Sequence, residues 1–315
     1  MVNMTVLMSV YNTPARMLSR SIESILIQSL SSFEFLILDD GSTEAPTRRH
    51  LAEAAARDSR IRLFFEPHRG LTPTLNRGLA LAKGELIARQ DADDWSEPQR
   101  LARQAAYLEK HPETGLLGSA AYTHQQDETP LWTVRLPETQ GQIRAALDRG
   151  NPFIHGSVMF RAEAARAAGG YREALRCSQD YDFFWRLTEA AGAANLADPL
   201  YHYRYSAESV SAGRAGEQAS AQRSARLLAQ ARRRGESEDA IVARISRESP
   251  SKPEDTFRAL LKQADHVMLA GNYGRAGRAY WDLLRSRPAS LLAWAKLARL
   301  ALFSVAPKAR PLCFR

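Results

Sequence analysis

The chain has 315 residues, 44% of them hydrophobic and 25% charged, which excludes a disordered or low-complexity protein. Its two cysteines, Cys177 and Cys313, are too far apart and too few for a disulfide framework or a cysteine-based zinc site. With no basic leader and no apolar run of about 18 to 20 residues, we expect a cytoplasmic protein that does not cross a membrane.

The net charge of +8 is concentrated in the C-terminal third of the chain. Residues 215–315 carry 19 Lys and Arg against 9 Asp and Glu, whereas residues 1–214 carry 24 against 26. On charge alone, this basic segment suits an anionic partner, and membrane phospholipid is as suitable as nucleic acid. The alternative is an arginine-rich helical face that contacts only solvent.

Short apolar runs alternate with helical patterns along the first ninety residues. We predict strands at 5–10, 33–38, 61–65 and 86–88, and helices at about 15–28, 46–57 and 71–82. Strands that alternate with helices in this way predict βαβ units, and therefore an α/β fold with a mostly parallel central sheet flanked by helices. Polar loops follow the strands, at the sheet edge where open α/β folds bind ligands.

The most informative loop follows the fourth strand and contains Asp91, Asp93 and Asp94. Two carboxylates separated by one small residue can approach a single divalent cation and leave its other positions to phosphate oxygens and water. The alternative is an acidic helix start in which Asp94 or Ser96 caps a helix that begins near Pro98. Taken by itself, this stretch leaves both interpretations open.

Familiar phosphate-binding motifs are missing from the chain. Neither a GxGxxG after the first strand nor a GxxxxGK[ST] is present, so phosphate must be held in another way. A metal on Asp91 and Asp93 would neutralise a diphosphate, while Asp39 or Asp40 on a neighbouring loop could accept hydrogen bonds from a base or ribose. This combination suggests a nucleotide-diphosphate donor.

Several motifs resemble, in order and spacing, the family 2 inverting glycosyltransferases of GT-A fold. The resemblance rests on Val10-Tyr11-Asn12, 35–43 (FLILDDGST), Asn76-Arg77-Gly78, 87–94 (IARQDADD), 98–101 (PQRL), Gly118-Ser119, 155–161 (HGSVMFR), 169–172 (GGYR), Asp180-Tyr181-Asp182 and 199–204 (PLYHYR). These motifs extend over about two thirds of the chain.

The resemblance implies a nucleotide-sugar donor, a Mn²⁺ or Mg²⁺ ion and a set of residues for each. Asp93 is implied as the first metal ligand, Asp91 as a ligand or a contact to the ribose, and Asp94 in either role. The donor-binding positions implied are Tyr11, Asp39, Asp40, Asn76, Arg77, Asp91 and Arg204. Structural roles remain open for several of these residues. Tyr11 could be an aromatic residue of a loop, Asn76 and Arg77 could form a polar helix face, and His202 could be an ordinary strand residue instead of a third metal ligand.

The resemblance also implies a general base, which maps onto Asp180. The chain departs from the family pattern at the preceding position, where Gln179 stands in place of the usual Glu. Gln removes a like charge, so the ionised form of Asp180 is favoured and its strength as a base is reduced. A structural role for Asp180, as the N-cap of a helix from Tyr181 to Ala191, is compatible with catalysis.

The C-terminal region predicts a separate, all-α extension. We predict a glycosyltransferase domain at 1–210, a basic helical linker at 211–253 and a tetratricopeptide-like extension at 254–315, based on Tyr273, Ala276, Tyr280, Leu283, Trp294 and Leu297. One and a half repeats cannot bury a core alone. We expect this tail to pack on its own domain, on a protein partner, or at an anionic membrane through the helix Leu291–Val305.

The sequence therefore favours a metal-dependent enzyme at or near the inner face of the cell membrane. It would move a sugar, most simply from a UDP-sugar, to a glycan or lipid-linked acceptor in surface polysaccharide or lipopolysaccharide synthesis, without binding nucleic acid. One alternative is a catalytically weak, transferase-like assembly factor, for which Gln179 is the supporting residue. Another is a sugar nucleotidyltransferase, although the glycine-rich activating loop of that class is missing.

Overall fold

The chain forms two compact units in this computed structural model, which describes residues 3–125, 127–204, 215–247 and 273–305 and six positions between 257 and 268. The first unit comprises residues 1–205 and 224–247, and the second comprises 206–223 and 248–315. The predicted domain boundaries, after residues 210 and 253, lie outside the described residues. Within the described ranges, every helix is too short or too polar to cross a lipid bilayer.

One mixed sheet organises the first unit. Its strands are β1 (Met4–Val10), β2 (Glu34–Asp40), β3 (Ile61–Glu66), β4 (Leu86–Asp91), β5 (Trp95–Ser96), β6 (Leu116–His124), β7 (Pro130–Val134), β8 (Met159–Arg161) and β9 (Ala193–Arg204). They lie in the order β3-β2-β1-β4-β8-β6-β9-β5, and β7 pairs with β6. The strands from β3 to β4 are parallel, as predicted, and β8 runs antiparallel to β4. The carboxyl ends of β1, β2 and β4 therefore meet at one edge.

Helices cover both faces of this sheet. They are α1 (Ala15–Leu26), α2 (Ala45–Arg57), α3 (Leu71–Leu81), α4 (Arg100–Lys110), α5 (Gln140–Leu147), α6 (Ala162–Ala167) and α7 (Gln179–Ala191), with a 3₁₀ turn at His155–Ser157. Two further helices follow in the chain: α8 (Ala215–Arg233), of which the residues from 224 onward belong to the first unit, and α9 (Asp239–Arg247). Alternate residues of β1 enter opposite cores: Leu7 packs in the core of α3 and α7, whereas Val6 and Met8 pack in the core of α1 and α4. The predicted α/β architecture is confirmed, and burial on both faces explains the continuous apolar runs.

The segment after the acidic loop differs from the prediction. The short strand β5 pairs with β9, and α4 begins only at Arg100, with Gln99 as its N-cap residue and no side-chain cap. Neither Asp94 nor Ser96 caps a helix, so the interpretation of the acidic stretch as a capped helix start is wrong. The reason is a long-range contact, because Trp95 and Ser96 pair with His202 and Tyr201 of β9 and so extend the sheet instead of starting a helix.

The described part of the second unit is helical. Its helices α10 (Tyr273–Ser286) and α11 (Leu291–Val305) share a core with Phe257, Leu261, Ala264 and Met268. Tyr280 is buried in this core and its hydroxyl donates to Asp265 at 2.6 Å. The outer face of α11 exposes Leu291, Leu292 and Trp294. A helical extension is therefore present, while its tetratricopeptide-like nature and its contact with a membrane or a protein stay predictions.

Candidate active site

Tyr11, which follows β1, and His68, which follows β3, form an aromatic rim beside two buried carboxylates at the end of β2. Tyr11 is 47% exposed and its ring stacks on His68 with 4.1 Å between the centroids. Asp39 and Asp40, below this rim, are 1% and 2% exposed. Gly41 adopts φ +71°, and a Cβ there would lie 2.5 Å from the backbone nitrogen of His68. Only glycine lets the two loops approach this closely.

The two aspartates have different tasks. Asp40 accepts hydrogen bonds from the backbone nitrogens of Arg69 and Gly70, at 2.8 and 2.9 Å, and so holds the loop that leads into α3. Asp39 accepts from the backbone nitrogen of Ser42 through Oδ2, while its buried Oδ1 has no partner among the described residues. A buried oxygen without a donor is costly. Among the described residues, Asp39 therefore keeps one acceptor without a partner, whereas both carboxylate oxygens of Asp40 already accept hydrogen bonds.

The acidic loop after β4 is held from behind by a buried polar network. The guanidinium of Arg100, which is fully buried, donates to the carbonyl of Arg89 at 2.6 Å and to Gln90 Oε1 at 3.1 Å. Gln90 donates in turn to the carbonyls of Asp91 and Asp94, both at 3.1 Å. These contacts hold the backbone carbonyls of Arg89, Asp91 and Asp94, so the network fixes where the carboxylates of the loop point.

Asp91 and Asp93 are the two carboxylates of this loop that remain accessible. Asp91 is half-buried and forms an ion pair with the buried Arg89, and Asp93 is exposed at the surface. Protein atoms around Asp93 displace part of its solvent and, with the charge of Asp91, raise the pKa of Asp93 to about 6. Two like charges in one place are the electrostatic condition that a bound cation relieves.

No set of three or more His, Cys, Asp or Glu side chains in the described part of the chain is arranged to hold a metal. The arrangement nevertheless fits the way Mg²⁺ and Mn²⁺ are bound at phosphate sites, where one or two carboxylates share the ion with substrate phosphates and water. Asp93 and Asp91 would supply those carboxylates. A site of this kind is completed by the substrate, so its ligand set is incomplete in the protein alone.

Asp94 and Arg204 lie under the loop. Asp94 is 2% exposed, and its Oδ1 accepts the backbone N–H of Arg204 at 2.7 Å. Arg204 is 5% exposed, and its Nε donates to the carbonyl of Asp93 at 2.8 Å. Both predicted roles, metal ligand for Asp94 and donor-phosphate contact for Arg204, stay untested. The contacts favour a different task for the pair, which is to shape the loop that carries Asp93.

Asn76 and Arg77, both predicted to bind the donor, occupy α3. Asn76 accepts the backbone N–H of Tyr171 and donates to the carbonyl of Tyr171, both at 2.8 Å. Arg77 is exposed and contacts Glu66 at 3.3 Å. With its amide engaged by the backbone of Tyr171, Asn76 braces the wall of the site, and the polar-face alternative describes Arg77.

We expect Asn76→Ala to lower the free energy of unfolding by about 1–3 kcal/mol, because both hydrogen bonds to the backbone of Tyr171 are lost. Urea unfolding measures this change. Arg77→Ala, one position along the same helix, is the matched control and should change stability by less than about 0.5 kcal/mol. If Asn76→Ala kept full stability and weakened only donor binding, the bracing role would be wrong.

Asp180 lies in the first turn of α7, as its second residue. The N-cap of this helix is Ser178, which has φ +53°, so Asp180 is not the cap that the sequence allowed. Asp180 is half-buried and accepts a hydrogen bond from Nδ2 of Asn151 at 2.8 Å. The next acid, Asp182, is fully buried and paired with Arg186, which anchors the helix. These contacts hold the carboxylate of Asp180 in one orientation.

The 3₁₀ turn at His155–Ser157 connects the acidic loop to Asp180. A Cβ on Gly156 would collide with the hydroxyl of Tyr201 and lie 2.7 Å from Oδ2 of Asp91, so the turn lies directly against that carboxylate. The ring of His155 packs against Phe184, one turn after Asp180 on α7, with 5.8 Å between the ring centroids. The turn therefore lies between the loop of the predicted metal motif and the helix of the predicted base, although Asp91 and Asp180 are almost ninety residues apart in sequence.

Two residues of this site, His68 and Asn151, carried no usable sequence signal and take part only through the fold. Tyr171 belongs to the motif at 169–172, but the sequence assigned it no task. His202, considered as a third metal ligand, is engaged at both ring nitrogens, by His124 at 2.9 Å and by Glu97 at 2.6 Å. The alternative of a structural strand residue describes His202 better.

Comparison with known proteins finds a matching family model and related sequences. The glycosyl transferase family 2 model matches residues 5–168. A putative glycosyltransferase of Bacillus subtilis, EpsE, is 37% identical over 64% of this chain and 72% of its own length. The amylovoran biosynthesis glycosyltransferase AmsE of Erwinia amylovora is 31% identical over 65% of this chain and 77% of its own length.

Solved structures show the same fold at low identity. Residues 1–349 of TarS from S. aureus align with a TM-score of 0.54 and 16% identity, over 96% of this chain and 81% of that chain. The mannosyltransferase PcManGT of Pyrobaculum calidifontis, solved with GDP-Man and Mn²⁺, aligns with a TM-score of 0.54 and 18% identity, over 96% and 80%. The predicted GT-A fold is confirmed, and no support remains for a sugar nucleotidyltransferase. The chain belongs to glycosyl transferase family 2.

Proposed function

We propose that this chain is an inverting, metal-dependent glycosyltransferase that moves a sugar from a nucleotide-sugar donor to a hydroxyl group of a surface glycan or its lipid-linked precursor. The observation that carries the proposal is that one turn, His155–Ser157, touches Asp91 through Gly156 and packs through His155 on Phe184, one turn after Asp180 on α7. Transfer of a sugar from a diphosphate leaving group requires a cation for the diphosphate and, close to it, a carboxylate that takes a proton.

The donor would lie along the carboxyl edge of β1, β2 and β4. Tyr11 and His68 would flank the base, and Oδ1 of Asp39, which lacks a donor among the described residues, would accept an N–H of that base. Asp93 and Asp91 would hold Mn²⁺ or Mg²⁺, which supplies charge neutralisation for the departing diphosphate. A UDP-sugar is the simplest donor, and GDP-sugars offer a comparable N–H group.

Asp180 would take the proton of the acceptor hydroxyl. Its carboxylate is oriented by Asn151 at 2.8 Å and stands on a helix anchored by Asp182. As the acceptor oxygen forms its bond to the anomeric carbon, the proton passes to Asp180 and the nucleoside diphosphate leaves from the opposite face. Gln179, 7% exposed beside Asp180, adds no second negative charge there.

The acceptor class is proposed from the relatives. AmsE is named for amylovoran biosynthesis, and WbnJ of Escherichia coli, 28% identical over 58% of this chain and 72% of its own length, for O-antigen biosynthesis. Both names refer to bacterial polysaccharides. We extend the same acceptor class, a growing glycan chain, to this protein.

Donor binding tests this proposal through ligand-linked stabilisation. We expect one nucleotide sugar in a panel of UDP- and GDP-sugars to raise the melting temperature in the presence of Mn²⁺, because a ligand that binds only the folded protein stabilises it. The rise should be smaller with EDTA, because the proposed metal contributes to donor binding. Differential scanning fluorimetry measures both. If no nucleotide sugar and no nucleoside diphosphate stabilised the protein with Mn²⁺, the proposal would be wrong.

A further inference from the structure

The turn between β6 and β7 brings one carboxylate to a group of arginines beside the acidic loop. Glu128, in this turn, is half-buried, and its carboxylate forms ion pairs with Arg20 of α1 and with Arg204 of β9, the latter at 3.5 Å. A third guanidinium, that of the exposed Arg16 in α1, lies 4.0 Å away. One side chain of the hairpin thus contacts arginines from two other elements of the first unit.

Arg20 and Arg204 both contact the acidic loop. The guanidinium of Arg20 lies over the ring of Trp95, with 3.8 Å between Cζ and the ring centroid, and that of Arg204 lies 5.0 Å from the same centroid. Nε of Arg204 also donates to the carbonyl of Asp93 at 2.8 Å. The two arginines therefore hold the stretch from Asp93 to Trp95 at both of its ends.

The carboxylate of Glu128 stabilises this arrangement electrostatically. Arg204 is only 5% exposed, so its charge needs a partner, and Glu128 supplies one. Loss of solvent and the charges of Arg204 and Arg16 lower the pKa of Arg20, which shows that these cations repel one another. Without Glu128, this repulsion would favour rotamers of Arg20 that point away from the ring of Trp95.

We propose that Glu128 is a positioning residue of the metal site, which acts through Arg204 and Arg20 to fix the loop that presents the carboxylate of Asp93. The inference rests on the proposed function, because the metal on Asp93 is part of that function. Loss of Glu128 would also leave the positive charge of Arg204 unbalanced beside a cation site, and this effect weakens metal binding in the same direction.

The backbone of Glu128 separates this task from simple support of the turn. Glu128 has φ +71°, a left-handed conformation that is unfavourable for Glu and easily adopted by glycine. Glu128→Gly therefore removes the carboxylate and relieves the backbone, whereas Glu128→Gln removes only the charge. Asp127→Asn is the matched control in the same turn. It removes one negative charge, and its side-chain oxygen can still accept the backbone N–H of Thr129, as that of Asp127 does at 3.0 Å.

The first measurement is the Mn²⁺ dissociation constant of the full chain without donor, by electron paramagnetic resonance. We expect Glu128→Gln and Glu128→Gly to raise it about three- to tenfold, because groups behind metal ligands contribute to affinity by orienting them. Asp127→Asn should change it less than about twofold. Urea unfolding should show Glu128→Gly to be more stable than Glu128→Gln, so that the loss of Mn²⁺ binding does not follow stability.

The second measurement needs no metal. The amides of Asp94 and Arg204 donate to the carbonyl of Asp91 at 3.4 Å and to Oδ1 of Asp94 at 2.7 Å, and both hydrogen bonds depend on the conformation of the loop. We expect hydrogen exchange at these two amides to be faster in both Glu128 variants of the metal-free protein and unchanged in Asp127→Asn.

The outcomes are distinguishable. If Glu128→Gly kept the Mn²⁺ affinity, or if exchange at the two amides were unchanged in both Glu128 variants, Glu128 would support only the hairpin and the inference would be wrong. An equal loss of affinity in Asp127→Asn would indicate a long-range charge effect and would also overturn it. If the unmodified protein bound neither Mn²⁺ nor a nucleotide sugar, the proposed function would fail, and amide exchange would still decide whether Glu128 holds the loop.

Discussion

Asp180→Asn is expected to reduce sugar transfer by about 10²- to 10⁴-fold, because an amide cannot take the proton of the acceptor hydroxyl. Donor binding should be almost unchanged. Asn is close to Asp in shape and keeps an oxygen that can accept from Asn151, which contacts Asp180 at 2.8 Å. The loss should therefore appear in kcat, measured by release of nucleoside diphosphate in the presence of acceptor.

The matched control is Asp148→Asn. Asp148 follows α5 and its exposed carboxylate pairs with Arg233 at 2.9 Å, outside the proposed site. We expect this variant to keep its activity within about twofold, as surface ion pairs contribute little. If Asp180→Asn retained more than about a tenth of the activity, a different group would have to be the base.

The second large effect is expected for Asp93→Asn. Its carboxylate is the most accessible of the acidic loop, and removing its charge should lower Mn²⁺-dependent turnover by about 10²- to 10³-fold, since a metal contributes several kcal/mol of charge stabilisation. Protein atoms that displace solvent from Asp93, together with the charge of Asp91, raise the pKa of Asp93 to about 6. Protonation prevents ligation, so Mn²⁺ affinity should fall as pH falls through about 6, which electron paramagnetic resonance of Mn²⁺ would measure.

Asp94→Asn is the control for this loop. Burial, Asp93 and Asp91 raise the pKa of Asp94 well above its usual value, so loss of its charge should matter less than loss of the charge of Asp93. Asn has nearly the shape of a protonated Asp and keeps an acceptor for the backbone of Arg204. We expect Mn²⁺ affinity to change less than tenfold. If Asp94→Asn abolished Mn²⁺ binding while Asp93→Asn did not, Asp94 would be the ligand.

The parallel half of the fold was predictable because its signals are local. Strands such as Phe35–Leu38 are continuous apolar runs, and α3 ends at Leu81, within one residue of the predicted end, although its C-cap is Ala82 and not a glycine. The strand β5 was not predictable, since two residues carry no period and Trp95 is drawn into the sheet by His202 of β9. Pairings of this kind depend on contacts more than a hundred residues apart.

The site was predictable in its motifs but not in the tasks of single residues. The order of motifs placed Asp91, Asp93 and Asp180, and the structure places the His155–Ser157 turn against both Asp91 and the helix that carries Asp180. The sequence could not tell Asp39 from Asp40, because adjacent strand residues face opposite directions and only the fold shows that Arg69 and Gly70 engage Asp40. The sequence likewise predicted that Asn76 binds the donor, because its hydrogen-bond partner, Tyr171, is 95 residues away and only the fold brings the two together.

Donor hydrolysis followed by proton NMR tests the proposed reaction most directly. Water can replace the acceptor, so α-linked nucleotide sugars incubated with the protein and Mn²⁺ should release nucleoside diphosphate. We expect the freed sugar to appear first as the β anomer, before mutarotation, and the release to stop with EDTA or in Asp180→Asn. First appearance of the α anomer, or no release from any UDP- or GDP-sugar in the presence of Mn²⁺, would contradict a metal-dependent inverting transferase.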